Sequence, residues 1–540
     1  MRKRISATIL IGAIVLAALV CCVASKADSF FGQNSVILGN VIVTSEDDWD
    51  EIIASHTAAA MDRNAVAFNG GTVAYEEESN TFYLPQDLDS DSWEGILSSY
   101  DDAQIRILDE DVLYDRATAL QDGYSFSCLY VNQDSYCPFS LVFTGVSTLS
   151  LFYGEDEFVT TQKEDHDGEL SVQGTDGSYE YSLCVFHIRG QASLDDEKKC
   201  YKINLKTTDG ENNDLALLGM RSDDDWILNA QYRDGSRIRE PLAYAVWEEM
   251  QTLSGCSTSY TSHNEFVEVF FNDEYMGLYA LQEPLDGKTY DLEDGDILYY
   301  IKKWLREENA SSVWDQGLSQ FNGQDTVPSA EIKWPKESEE LKWDALQMIY
   351  EFYKGGMSWE EFERSGVKLE PENLALFNLF VTLVRADDTL WKNTFIACFQ
   401  EENGTYTAEV YPWDMNASFG DNYKGEFREE TASETERSRK DSDSDPNEAA
   451  LWEAYVRDCP EEASSIIATE WKTLRDAGFS SESVCQSMQE MWAQVLSSGA
   501  IFREAERWPG TIDGNDYTNM LTWVETRFDT FDAMYGYSAE

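Results

Sequence analysis

The stretch Arg385–Gly420, RADDTLWKNTFIACFQEENGTYTAEVYPWDMNASFG, constrains the fold more than any other part of the chain. The almost wholly apolar segment Leu374–Val384 leads into it. Apolar residues on every face predict a buried helix. Acids replace hydrophobes at Arg385-Ala-Asp-Asp, and Thr394–Phe399 then reads as a short apolar strand. Glu402-Asn-Gly-Thr carries the Asn-Gly turn signal, and Thr407–Trp413 returns as a second strand ending at Asp414. A hairpin brings its ends together, so Asp387, Asp388 and Asn393 can face Asp414 and Asn416. Converging carboxylate and amide oxygens are ligands that a hard divalent ion takes.

The chain around this hairpin is strongly acidic. It has 540 residues, 101 Asp and Glu against 40 Lys and Arg, and a formal charge of -61. Such a surface repels nucleic acid and anionic lipid, and favours solubility and cations. Any polyphosphate ligand would need local positive charge, so the few basic clusters matter. A hydrophobic fraction of 42% is ample for a large core.

Met1-Arg-Lys-Arg followed by the apolar run Ile5–Val23 reads as a signal peptide or membrane anchor over residues 1–27, with Ser25-Lys-Ala27 as a small-x-small cleavage site. It predicts an exported protein, extracellular or anchored facing outside. Eight cysteines follow, scattered and without a C-x-x-C, and the whole chain has four His, which argues against zinc. Cys128 and Cys137 flank a short loop at a spacing that allows pairing.

Residues 28–64 read as a connector with one helix near Trp49–Met61, and 65–180 as a β-rich region without a catalytic motif. Residues 181–305 are mixed. Two strands there, YSLCVFHIRG and KKCYKINLK, concentrate Arg189, Lys198, Lys199, Lys202 and Lys206. Alternation puts Lys202, Asn204 and Lys206 on one face, opposite Tyr201, Ile203 and Leu205. Either this is a solvated edge strand, or its lysines aim into a phosphate-binding cleft. A helix follows the Asp234-Gly-Ser turn, with Glu240 near its start and Glu248 and Glu249 near its end. Next come the hairpin Phe266–Gln282, with Glu283 before Pro284, and the strand Ile297–Lys302. The polar stretch 306–340 reads as a surface insertion, and 341–540 as a helical region around the hairpin. Within it, Asp421–Asn447 is acidic and Ser-rich, with almost no hydrophobes, and reads as a loop.

Asp388, Asn393 five residues later, a hairpin and Asp414 repeat the order in which protein kinases supply a catalytic carboxylate and metal ligands. The His-Arg-Asp and Asp-Phe-Gly contexts are absent, as is a Gly-rich phosphate loop. Taken together, HIRG with KKCYKI, WILNAQYRDGSRIRE, NDEYMGLYALQEPLD, DDTLWKN and WDMNASFG resemble the CotH-type spore-coat kinase family from about Phe186 onward. The resemblance implies an α+β, diverged protein-kinase-like two-lobed fold. It implies phosphorylation of Ser/Thr on a surface or coat protein, with ATP and Mg2+ or Mn2+. By residue it implies Asp388 as the catalytic carboxylate, Asn393, Asp414 and Asn416 as metal ligands, and Arg189, Lys199, Lys202 and Glu283 as the nucleotide-binding set. Family members often have a second Asp where this chain has Asn416, whose amide oxygen brings less charge. The alternative reading is a weak or inactive CotH-like scaffold.

Overall fold

The computed structural model describes residues 41–154, 164–190, 192–304, 317–336, 340–386, 388–390, 392–422, 424–429, 432–433 and 450–538. The expected signal segment, Asp387 and most of the Ser-rich loop lie outside these residues. Among the described residues no helix is long and apolar enough to cross a membrane. The architecture is mixed α+β.

Seven strands close into a barrel. In spatial order they are Ser147–Tyr153, His166–Gln173, Tyr179–Arg189, Cys200–Lys206, Asp225–Asn229, Glu274–Gln282 and Asn264–Phe271. Parallel pairing of Ser147 with Val267 closes the ring. Strict alternation fills it: Cys184, Phe186 and Ile188 point inward with Tyr201, Ile203 and Leu205. Arg189, Cys200 and Lys202 stand on the outer face, as the alternation of the sequence requires. The first two staves lie upstream of residue 181, so the barrel crosses the boundary expected there. A separate sheet built on Thr81–Pro85, Gln104–Leu108, Ser125–Val131 and Ser135–Thr144 makes up most of the N-terminal region. Its first helix is Glu46–Ser55, capped by Ser45, and so sits earlier than the sequence suggested. Cys128 and Cys137 lie on its adjacent strands as buried free thiols.

The catalytic-looking hairpin forms as expected, pairing Thr394–Gln400 with Tyr406–Pro412. It is the centre of a six-stranded sheet ordered Thr326–Val327, Ala330–Trp334, Ile297–Ile301, Thr394–Gln400, Tyr406–Pro412 and Val367–Leu369. The described part of 306–340 is therefore not a surface insertion. Val327, Ala330 and Ile332 bury their side chains, and their polar alternates, Glu331 and Lys333, hide the strand in the sequence.

Two helices set the hairpin in place. Pro371–Leu383 is buried from Leu374 through Val381 on every face, as its composition required. Its Asn373 side chain accepts from Val410 N at 2.8 Å, fixing helix to strand. Arg239–Ser254 bridges barrel and hairpin, with Trp247 packed 5.1 Å from the ring of Phe380. The Asp234 carboxylate, rather than Ser236, caps this helix by accepting from Arg239 N at 2.9 Å. Four C-terminal helices, Pro460–Asp476, Ser481–Ser497, Ala500–Arg507 and Gly514–Tyr535, complete the main core. Ala500–Arg507, the one of these not foreseen from the sequence, packs on the Glu274–Gln282 strand through Glu504, Arg507 and Trp508.

Candidate active site

The hairpin ends converge as its geometry demands. Asn393 precedes the first strand and Asp414 follows the second, and Trp413 N donates to Asn393 O at 3.0 Å. Both residues adopt left-handed backbone, with φ of 52° at Asn393 and 61° at Asp414. Asn and Asp tolerate that conformation better than other side-chain-bearing residues, at a cost of about 1 kcal/mol each. The Asn393 amide then donates to Asp414 Oδ2 at 3.1 Å, while its Oδ1 accepts from the Tyr300 hydroxyl at 3.2 Å. Thr389 Oγ1 donates to Trp413 O at 3.2 Å and ties the preceding loop to the same point. In that loop Lys392 Nζ pairs with Asp388 Oδ2 at 2.5 Å.

The opposite wall comes from the barrel and the bridging helix. Glu240 is buried and accepts from Asn229 Nδ2 at 2.8 Å. Tyr244, one helical turn on, lies 3.4 Å from the Glu240 carboxylate and accepts from Asp414 N at 3.2 Å. Arg189, at the end of its strand, lies with its guanidinium 5.9 Å from the Trp413 ring centroid. Among the described residues it makes no ion pair.

The electrostatics are lopsided. Burial, and then the neighbouring Asp414, push the Glu240 carboxyl up to about 7, while Asn229 and Arg189 oppose the rise. Burial, and then Asp388, raise the Asp414 carboxyl, against Lys392 and Arg189. Asp414 has no ion-pair partner among the described residues. Three carboxylates thus face one guanidinium and one ammonium. A divalent cation fits this deficit, with Asp414 offering the hard oxygen donors it prefers and Asn393 an amide oxygen that now accepts from Tyr300. A phosphate group fits Arg189, whose planar fork suits bidentate contact.

The remaining sequence candidates lie elsewhere. Asn416 is exposed two residues beyond Asp414, and its side chain makes no hydrogen bond to Asp388, Asn393 or Asp414. Lys199 turns away to donate to Leu194 O at 2.7 Å and to Asp196 O. Lys202 shares the outer barrel face with Arg189 but pairs with Asp225 at 3.4 Å. Glu283 is enclosed: it accepts from Arg221 N at 2.8 Å and from His263 Nδ1 at 2.9 Å. Burial raises its carboxyl, yet those donors outweigh burial and hold it below the usual range. Lys198, in the same basic cluster, is fully buried against Glu504 at 2.8 Å.

Sequence reasoning did not single out Tyr244, Asn229, Tyr300 and Lys392, and it left Glu240 undecided among three glutamates. The i, i+4 spacing of Glu240 and Tyr244, and the position of Lys392 beside Asn393, were signals that could have found part of this set.

Oxygen donors suited to a hard cation thus stand beside a guanidinium that makes no ion pair among the described residues. The sequence profile of the CotH kinase protein family matches residues 186–530, most of the chain. The protein belongs to the CotH kinase family. A comparison with curated proteins gives no match. Membership points to kinase chemistry, which generally uses ATP and a divalent metal ion.

Proposed function

We propose that the protein is an atypical kinase that transfers the γ-phosphate of ATP to a Ser or Thr hydroxyl of a surface or coat protein, with Mg2+ or Mn2+. The observation that carries this reading is the half-buried Asp414, bound to Asn393, without an ion pair among the described residues and within electrostatic reach of Asp388 and Arg189. On this reading the barrel and the Arg239–Ser254 helix serve as the small lobe of a diverged kinase fold. The six-stranded sheet and the C-terminal helices serve as the large lobe. The N-terminal segment 1–27 would export or anchor the chain, and its acidic surface disfavours nucleic acid as a partner.

The bound metal would neutralise phosphate charge as the transferred group separates. Asp414 and Asn393 would hold it by their oxygens. Arg189 binds a phosphate oxygen from the barrel side. Glu240 fixes that wall by accepting from Asn229, while Tyr244, one turn on, accepts from the Asp414 N–H and sets the backbone there. Asp388 orients the acceptor hydroxyl and takes its proton as the new O–P bond forms and the β–γ bridging O–P bond breaks, leaving ADP. Lys392 pairs with Asp388 and holds its carboxylate in place for this role.

The test is phosphate transfer from labelled ATP by the full-length chain with Mg2+ or Mn2+, alongside Asp388→Ala and Asp414→Ala. Metal-dependent labelling lost in both variants is expected. No labelling, and no thermal shift with ATP and either metal, would overturn the reading.

A further inference from the structure

Asp414 heads a short irregular segment, residues 414–421, that leaves the hairpin. Its backbone is left-handed at Asp414, Phe419 and Gly420, with φ of 61°, 47° and 95°. Such a path persists only where its surroundings fix it. One helix, Arg239–Ser254, does so at two points. The Tyr244 hydroxyl accepts from Asp414 N at 3.2 Å. Five residues earlier, Arg239 Nη1 donates to Ser418 O at 2.7 Å and to Phe419 O at 3.2 Å. Between these points Ser418 Oγ donates to Met415 O at 2.7 Å, which links the two ends of the turn. Phe419 N donates to Val384 O at 2.6 Å and ties the segment to the end of the helix that precedes Asp388. Gly420 presses on the C-terminal helix, where an added Cβ would lie 2.8 Å from Trp523.

Arg239 is fully buried, and burying a guanidinium is costly unless its donors and its charge are answered. Its Nη2 pairs with Asp516 at 2.5 Å and with Asp421 at 3.2 Å, and Asp234 lies 3.7 Å from Nε. Burial works against the charge, but Asp516, Asp234 and Asp421 outweigh it and keep the guanidinium charged. Asp516 belongs to the first turn of Gly514–Tyr535. The planar fork therefore joins its own helix, the segment behind Asp414 and the C-terminal helix, a span that a compact ammonium does not match. We propose that Arg239 is a positioning residue for the metal site: its grip on the Ser418 and Phe419 carbonyls sets where Asp414 presents its carboxylate, without Arg239 touching metal or nucleotide. It rests on the reading of Asp414 as a metal ligand. Side chains that hold a metal ligand from behind are worth about 10- to 100-fold in metal affinity.

The experiment titrates Mn2+ into the full-length chain by calorimetry with ADP present, and maps amide hydrogen exchange without metal. It compares the wild type with Arg239→Lys, and with Arg237→Lys as a control. Arg237, two residues earlier and also buried, donates to Glu504 and Thr511, away from the segment behind Asp414. We expect Arg239→Lys to weaken Mn2+ binding about tenfold and to speed exchange over residues 414–421. Arg237→Lys should lower the melting temperature yet bind Mn2+ as the wild type does. Unchanged Mn2+ affinity in Arg239→Lys would overturn the proposal. So would an equal loss in Arg237→Lys, since weakened folding alone would then account for both. If Arg239→Lys does not fold, Asp516→Ala decides, because it removes one of three crowded carboxylates and the nearest anchor of the fork. Weaker Mn2+ binding by that variant supports the grip, and unchanged binding overturns it. If no protein binds Mn2+ but exchange over residues 414–421 rises in Arg239→Lys alone, the grip stands and the metal reading falls.

Discussion

Two places in this molecule bury charge, and they treat it in opposite ways. At the junction of the barrel with the Ala500–Arg507 helix, Glu504 accepts from Lys198 at 2.8 Å, Arg237 at 2.9 Å and Leu278 N at 2.7 Å. Arg237 spends its remaining donors on Thr511 and on the carbonyls of Gln231 and Asp234. Every charge there is answered by the chain itself. Burial still pushes the Lys198 ammonium down to about 8, against the pull of Glu504. At the hairpin, Glu240, Asp414 and Asp388 crowd together with only Arg189 and Lys392 opposite, and Asp414 has no ion pair among the described residues. The first arrangement holds two elements together. The second leaves a deficit that a metal and a phosphate can complete, and buried charge left incomplete is a mark of function.

The sharpest way to break this comparison is to neutralise one carboxylate in each place. Asp414→Asn should cut phosphate transfer on the order of 10³-fold. Without metal it should leave the melting temperature unchanged or higher, because a repelled carboxylate is gone. Activity assays and calorimetry on the same preparation check both signs. Glu504→Gln should do the reverse. It leaves Lys198 and Arg237 buried without their counter-ion, costing about 3 kcal/mol or more by denaturant unfolding. A stable Glu504→Gln protein would erase the distinction.

Two further variants sharpen the account. Tyr300→Phe removes the hydroxyl that orients Asn393, and should weaken metal binding about tenfold with little change in stability, as titration calorimetry can read. Glu240 provides the pH signature. Its folded carboxyl is raised to about 7, above an ordinary glutamate, so the folded state holds a proton that the unfolded state has lost. Stability from this group is complete below the ordinary carboxylate range and drains away as pH rises towards 7. Melting temperature without metal should therefore fall over that window, and Glu240→Gln should flatten the fall. Asp421, also raised to about 7 by burial, adds a parallel slope that the Glu240 variant leaves in place.

The sequence announced the hairpin because its signals are local. Asn403-Gly404 turns the chain, alternation defines the strands, and the helix Pro371–Leu383 is apolar all round. These local signals alone bring Asp388, Asn393 and Asp414 to one end of the hairpin. What stayed hidden depends on contacts distant in sequence. Barrel closure joins Ser147 to Val267, and nothing near either residue specifies the other. Alternation gave the outer face of Cys200–Lys206 correctly, but not which cation on that wall meets the acids. Arg189 does, while Lys199 is drawn off by two carbonyls in its own preceding turn. Ala330–Trp334 read as polar surface because only every second residue is buried. Glu240 is one of three helix glutamates, and only its burial and its hydrogen bond from Asn229 separate it from the others.

The most direct measurement is Mn2+ binding followed by electron paramagnetic resonance, on the full-length chain with ADP present, for the wild type and Asp414→Asn. The account predicts that the wild type removes the free-ion signal with near one-to-one stoichiometry, and that Asp414→Asn leaves it in solution. Equal binding by both proteins, or none by either, would contradict the claim that the charge deficit at Asp414 is a metal site.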